Sequence, residues 1–339
     1  MTGPRRPAAR KAVGVRLAGT GMAVPDKILT NEDLTRIVET SDEWITQRTG
    51  IKTRRIVEGN TKTSDLAAQA TKQALQNAGL APSDLDLLIC ATMTPDMICP
   101  ATACQVVRKI GAIPCGAFDI NIACTGFVAA LNLASNCIAS GHHRTVAILG
   151  ADTLSKIVNW EDRRTCILFG DAASCAILTA CDDVTRGSLY QSLGSDAERG
   201  EVLYVPRDAS DLPPGAGETF SGKYNTLQMD GRAVYKFAVT VLAESVERAL
   251  AACDLTADDI AMVIPHQSNI RMLQSSWKRL GFPEDKIKIN IDRYGNTSAA
   301  SAGICLHECL SDGSVRKGDY VVFVAQGGGL SWGTNLWRL

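Results

Sequence analysis

The chain has 339 residues, 45% of them hydrophobic and 21% charged, with a formal net charge of -1. That balance describes a globular protein with a sizeable core; it excludes a disordered chain and a surface that is basic throughout, as general nucleic-acid or anionic-membrane binding would need. No apolar run reaches the roughly 20 residues of a membrane span, so the expected location is the cytoplasm, with no nucleic acid and no membrane as partner.

In chain order, residues 1–11 (MTGPRRPAARK) are basic and read as a disordered tail. SDLAAQATKQALQNAG (64–79) has apolar residues at helical spacing, and a buried strand follows through 85–89. DINIACTGF (119–127) reads as a strand running into small residues, with Cys124 where strand turns into helix. Free N–H groups and a partial positive charge at a helix start stabilise a thiolate, so Cys124 is either a nucleophile or a small core residue. SCAILTA (174–180) reads as a strand, and the polar turn DDVTRG (182–187) divides the folded chain into 12–184 and 185–339. VPRDASDLPPGAGETFSG (205–222) reads as a surface excursion.

A long helix follows over 231–253, then a strand ending in VIPHQSN with His266 just past it. NIRMLQSSWKRLG (269–281) has helical spacing, and 286–310 reads strand, turn, helix, with Asn296 at the joint. Most of the 12 cysteines sit in apolar runs and read as core residues in a reducing compartment. In CLHEC, Cys305 and Cys309 share a helical face but His307 points away, so no metal site is expected.

One internal repeat organises these elements. ALQNAGLAPSDLDLLI (74–89) matches ALAACDLTADDIAMVI (249–264) at Ala74/Ala249, Leu75/Leu250, Leu80/Leu255, Asp84/Asp259 and Ile89/Ile264. The copies lie too far apart for a solenoid, so two duplicated α/β halves are expected, each with a mixed sheet covered by helices. Cys124 and Asn296 fall at corresponding joints, and His266 lies at a third strand end. Strand ends are where open α/β sheets collect ligands. A thiol that attacks a thioester, with imidazole and amide N–H donors for a developing oxyanion, is a coherent chemical set. A papain-like protease also uses cysteine, histidine and asparagine, but its signature around the cysteine is absent.

On these residues the chain resembles β-ketoacyl-ACP synthase III, the initiating condensing enzyme of the thiolase superfamily. The motifs are SDEWITQRTGI (41–51), ACTGF (123–127), FGDAAS (169–174), PHQSN (265–269), GNTSAAS (295–301) and GGGLSWG (327–333). The resemblance implies a thiolase-like α-β-α-β-α fold, a homodimer, and acyl-CoA and acyl carrier protein (ACP) as partners, with no cofactor. It implies that Cys124 carries the acyl group, and that His266 and Asn296 act on the malonyl thioester. The Cys124 N–H and one from the Gly327–Gly329 run, represented by Gly328, would form the oxyanion hole. Trp44 and Arg163 match positions that sandwich the CoA adenine, Arg48 one at the pyrophosphate, and Asn269 one that orders water and substrate near the histidine. Phe169 matches an acyl-site wall. Lys236, Arg271, Lys278 and Arg279 match the basic face that docks ACP, for which a solvated helix face is the plain alternative.

Three positions depart from the family pattern: Thr125 for Ala or Ser, Gln326 for Phe, and Cys99 for a large Phe that reaches the partner's acyl pocket. They leave the primer open. The resemblance also admits a secondary-metabolism condensing enzyme or acyltransferase, and a non-catalytic acyl-CoA or carrier-protein scaffold. Type III polyketide synthases, thiolases and hydroxymethylglutaryl-CoA synthases fit the motifs less well.

Overall fold

A computed structural model describes residues 13–217 and 220–339; the basic tail expected over 1–11 lies outside them. The first sheet contains β1 (Gly14–Ala23), β2 (Leu87–Ala91), β3 (Gly116–Ile120), β4 (Thr145–Thr153) and β5 (Asp171–Cys181), in the order β1-β5-β4-β2-β3. The second contains β6 (Gly187–Ser195), β7 (Ile260–Pro265), β8 (Tyr320–Gly327) and β9 (Ser331–Arg338), in the order β7-β8-β9-β6. In each, a parallel pair (β2 with β4, β7 with β8) is continued on one side by two antiparallel strands, and in the first sheet β3 adds a further parallel strand on the other side. The repeat seen in sequence is thus a repeat of topology.

One strand breaks the correspondence. The stretch expected as a strand after 286 pairs with β7 only through a single bridge, Val263 with Ile287, and then forms a helical turn, Ile291–Tyr294. Its counterpart in the first half is the full edge strand β3, which starts a little earlier than the alternation after Asp119 suggests.

The helices α1 (Asp42–Thr49), α2 (Thr63–Ala78), α3 (Thr102–Ile110), α4 (Gly126–Ala139), α5 (Gly231–Ala252), α6 (Ile270–Leu280) and α7 (Ala300–Ser311) complete the layers, together with small ribbons and short turns. Strand alternation explains the stacking. Ile89 and Ile148 face a central core with Phe127 and Leu131 of α4, Cys305 and Leu306 of α7, and Ile264 and Phe323 of the second sheet. Leu88 and Leu149 face the other way, onto α2 and α3. Val263, Val322 and Val324 do the same on the far side, onto α5 and α6. The result is the expected five layers, α-β-α-β-α. Both inner helices, α4 and α7, are covered on two sides by sheets, so they are apolar nearly all round. Cys305 and Cys309 are packed in that core, and no metal-binding cluster occurs among the described residues. No described helix is long and apolar enough to cross a membrane.

Candidate active site

Cys124 sits in the turn Ala123–Thr125 that leads into α4. Ala123 is held at φ 46°, a region that costs a non-glycine residue free energy and concentrates at functional sites. Burial pushes the Cys124 thiol up to about 12, and the charge of Asp152 adds to this; hydrogen bonds from Ser298 and the Cys124 amide oppose it. Burial thus works against the thiolate that the helix start favours, and the balance lies towards the thiol. The site holds a thiol that must lose its proton as it reacts.

The departure at Thr125 has a structural use. Its hydroxyl lies 3.0 Å from Ser331 Oγ, and Ser331 donates to the Gly328 carbonyl at 2.9 Å. The nucleophile turn and the glycine loop are thereby tied together. A Cβ at Gly327 would lie 2.8 Å from the Cys124 nitrogen, so only glycine permits this approach.

His266 follows β7 and is 1% exposed. Burial pulls its pKa down to about 3, so the ring is neutral. Its Nδ1 lies 2.7 Å from Ser301 Oγ, which is 2.9 Å from the Ser298 carbonyl. The serine hydroxyl has one proton. When it donates to Nδ1, Nε2 keeps the ring proton and can donate to an oxyanion. Asn296 is fixed through its backbone: its N–H donates to the Leu168 carbonyl (2.8 Å) and its carbonyl accepts from the Gly170 N–H (3.0 Å). Asn296 Oδ1 accepts from the Ser298 N–H at 2.9 Å, leaving Nδ2 as the end free to donate.

Cys124, His266 and Asn296 line one cavity of about 1390 Å³, together with Trp44, Arg48, Arg163, Phe169, Asn269, Arg271, Gln326 and Gly328. Asn269 also caps α6, accepting from the Arg271 N–H at 2.9 Å. The Arg48 and Arg163 guanidinium carbons lie 4.8 and 5.0 Å from the Trp44 ring centre. A sandwiched base needs two van der Waals separations, about 7 Å. Arg163, which donates to the Glu39 carbonyl at 2.8 Å, therefore stacks directly on Trp44 and must move outward to admit one.

Gln326 is 3% exposed; its Nε2 donates to Ser268 Oγ at 3.0 Å and its Oε1 has no partner. Cys99 is exposed and is not part of this chain's cavity wall. Lys236, Arg271, Lys278 and Arg279 are all exposed, on the neighbouring helices α5 and α6. Arg279 is 3.2 Å from Glu247, a pairing that discounts it as a free cation. Three cavity arginines escaped the sequence reading: Arg164, Arg207 and Arg232. With Arg48, Arg163 and Arg271 they give an arginine-lined cavity with no carboxylate among the described lining residues, although Arg164 and Arg207 are already ion-paired with Asp162 (2.9 Å) and Asp211 (3.0 Å) outside that lining. Their signal was only the presence of arginine in loops and at a helix start, which sequence does not distinguish from solvated surface.

Five layers with a cysteine, a neutral histidine and an asparagine at the junction of two duplicated halves define a thiolase-like condensing enzyme. Family models described as 3-oxoacyl-[acyl-carrier-protein] synthase III and its C-terminal part match residues 118–197 and 250–339. The chain is 47% identical over 324 residues to a β-ketoacyl-[acyl-carrier-protein] synthase III of Caldanaerobacter subterraneus, covering 96% of this chain and 97% of that protein. It is 43% identical to one from Xanthomonas campestris over 328 residues, 97% of this chain and 99% of that protein. The crystal structure of the Aquifex aeolicus 3-oxoacyl-[acyl-carrier-protein] synthase III superposes with a TM-score of 0.89 at 40% identity, covering 96% of this chain and all of that one. The chain belongs to the β-ketoacyl-ACP synthase III family. It is an acyltransferase, an initiating condensing enzyme of fatty-acid synthesis.

Proposed function

We propose that the cavity condenses an acyl-CoA primer with malonyl-ACP through an acyl-Cys124 intermediate. The observation that carries this is the convergence of Cys124, His266 and Asn296 on one cavity whose walls bear Trp44 and six arginines. Arg48, Arg163, Arg232 and Arg271, which form no ion pair among the described residues, suit the phosphates of CoA and of the ACP prosthetic arm, with Arg164 and Arg207 discounted for their aspartate partners.

In the first half-reaction the Cys124 sulfur attacks the thioester carbonyl as its proton departs. The tetrahedral oxyanion is stabilised by the Cys124 N–H and a glycine-loop N–H, Gly328 being the assigned donor. Collapse breaks the bond to CoA sulfur, which leaves as the protonated thiol. In the second, malonyl-ACP loses carbon dioxide, and the electron pair of the broken bond becomes the enolate. His266 Nε2–H and Asn296 Nδ2–H hold the enolate oxygen. A neutral donor suits this task, and the low pKa of His266 keeps it neutral at working pH. The enolate carbon attacks the acyl-cysteine carbonyl, and collapse releases β-ketoacyl-ACP and the Cys124 sulfur, which takes up a proton. The scheme needs no cofactor.

ACP docks on Lys236, Arg271 and Lys278, with Arg279 contributing less because of Glu247. The enzyme works in the cytoplasm as a homodimer. The edge strand β3 supports the dimer, since its Ile120 lines an apolar cleft with Ile122, Leu133 and Leu193, and its Phe118 is exposed. In that dimer Cys99 meets the partner's acyl pocket, and with Phe169 and Gln326 it sets the primer.

The test separates the half-reactions. His266→Ala and Asn296→Ala retain acylation of Cys124, read by intact mass, and reduce malonyl-ACP decarboxylation to a small residual rate. Loss of acylation with decarboxylation intact would reverse the assignment.

A further inference from the structure

Arg54 is 0% exposed, one of the largest fully buried side chains. It forms no ion pair with a carboxylate among the described residues. A cation taken out of water is costly, and its usual remedy is a carboxylate partner. Here three oxygens replace it. Nη1 donates to Asn31 Oδ1 at 2.9 Å and to the Leu29 carbonyl at 3.3 Å, and Nη2 donates to the Ile167 carbonyl at 2.7 Å. Nε has no acceptor.

Two of the three contacts, those to Ile167 and Asn31, lead to the site. The Ile167 carbonyl belongs to the segment whose next residues, Leu168 to Gly170, hold the Asn296 backbone, with Phe169 and Asn296 forming a parallel bridge. The Arg54 stem packs there as well. Cβ atoms added at Gly170 and at Gly295 would each come within 3.2 Å of Arg54 Cβ, so both glycines leave room for it. On the other side, Asn31 Nδ2 donates to Asp42 Oδ1 at 2.8 Å and to the Ile51 carbonyl at 2.7 Å. Asp42 opens α1, the helix that carries Trp44 and Arg48. Arg54 thus lies between the helix at the cavity mouth and the loop that presents Asn296, touching neither the cavity lining's reacting groups nor bulk water.

We propose that Arg54 is a positioning residue, a buried guanidinium that fixes the Asn296 loop through the Ile167 carbonyl and joins it, through Asn31, to the helix bearing Trp44 and Arg48. The inference rests on the role of Asn296 in the malonyl half-reaction. Displacing a reacting group by about 1 Å can cost on the order of 100-fold in rate. Arg54→Met fills the space without the hydrogen bonds, whereas Arg54→Lys keeps the charge and one donor site.

The experiment measures malonyl-ACP decarboxylation and the thermal transition in wild type, Arg54→Met, Arg54→Lys, Asn296→Ala and the Arg54→Met/Asn296→Ala pair. Arg54→Met is expected to melt cooperatively yet decarboxylate about 10- to 100-fold more slowly, with Arg54→Lys recovering part of the loss. In the Asn296→Ala background the same substitution should cost less than about twofold, because the group it positions is gone. An equal loss in both backgrounds, or a wild-type rate in folded Arg54→Met, overturns the proposal. Should Arg54→Met not fold, Asn31→Ala replaces it in the same cycle, with the same two outcomes. A wild-type rate in Asn296→Ala alone would strike the role of Asn296 itself, and is read independently of Arg54.

Discussion

His266 makes folding pH-dependent in a way that can be calculated. Its pKa falls from 6.5 to about 3 on burial. Between those values the unfolded chain binds a proton at His266 and the folded chain does not. Stability from this group is therefore fully present above pH 6.5 and drains away as pH falls towards 3. The slope is about 1.4 kcal/mol per pH unit, so roughly 2 kcal/mol is lost between pH 6.5 and pH 5. His266→Asn keeps a polar side chain at the site and removes the titration. Urea unfolding of both proteins at pH 7 and pH 5 isolates the difference, because Asp152 and Asp171, whose carboxyls burial pushes up, titrate in both. The wild type should lose about 2 kcal/mol more than the variant. Equal losses in the two proteins would show that the imidazole charges freely in the folded state, and would remove the neutral donor from the mechanism.

Other consequences are open to direct measurement. Because burial pushes the Cys124 thiol up to about 12, iodoacetamide labelling of Cys124 should climb about tenfold per pH unit from 7 to 9; a plateau near pH 7 would reveal a resting thiolate. Gly327→Ala should slow acyl transfer by about 100-fold or more, since the added Cβ lies 2.8 Å from the Cys124 nitrogen; unchanged kcat would move the oxyanion site elsewhere. Charge reversal at Arg271 or Lys278 should raise KM for malonyl-ACP more than KM for acyl-CoA, an effect that shrinks with salt; equal changes at every ionic strength would make the face structural. Cys99→Phe should cut use of primers longer than acetyl and act on the partner's site in mixed dimers; a primer profile that does not move rejects this reading of the pocket.

What sequence made legible follows from what is local. The repeat at 74–89 and 249–264 displays the duplicated helix-turn-strand, because the same core-facing periodicity serves both halves. Cys124 and His266 are recognisable because each follows a strand within an ordered motif, and Asn296 because its motif leads into a helix, even though a helical turn and not a strand precedes it. The reduced edge at Ile287 was not legible: KIKIN alternates like a strand, but only one bridge forms there. Alternation specifies a surface that can pair, while pairing itself depends on tertiary context. The state of the Cys124 thiol escaped for a related reason. Helix position is readable, whereas burial and the charge of Asp152 arise only when distant segments meet. Arg54 in KTRRI looks like any charged strand residue until Asn31 and Ile167 close around it. The direct stacking of Arg163 on Trp44 is likewise a contact between remote segments that spacing does not encode.

The central claim is that Cys124 carries the acyl group and passes it to a malonyl-derived carbon. Intact-mass spectrometry after mixing with acetyl-CoA, then after adding malonyl-ACP, tests it most directly. An acetyl adduct confined to Cys124 should form with the first substrate, vanish with the second, and appear as acetoacetyl-ACP, while Cys124→Ala shows neither adduct nor product. An adduct on another residue, or acetoacetyl-ACP made at the normal rate by Cys124→Ala, would contradict the account.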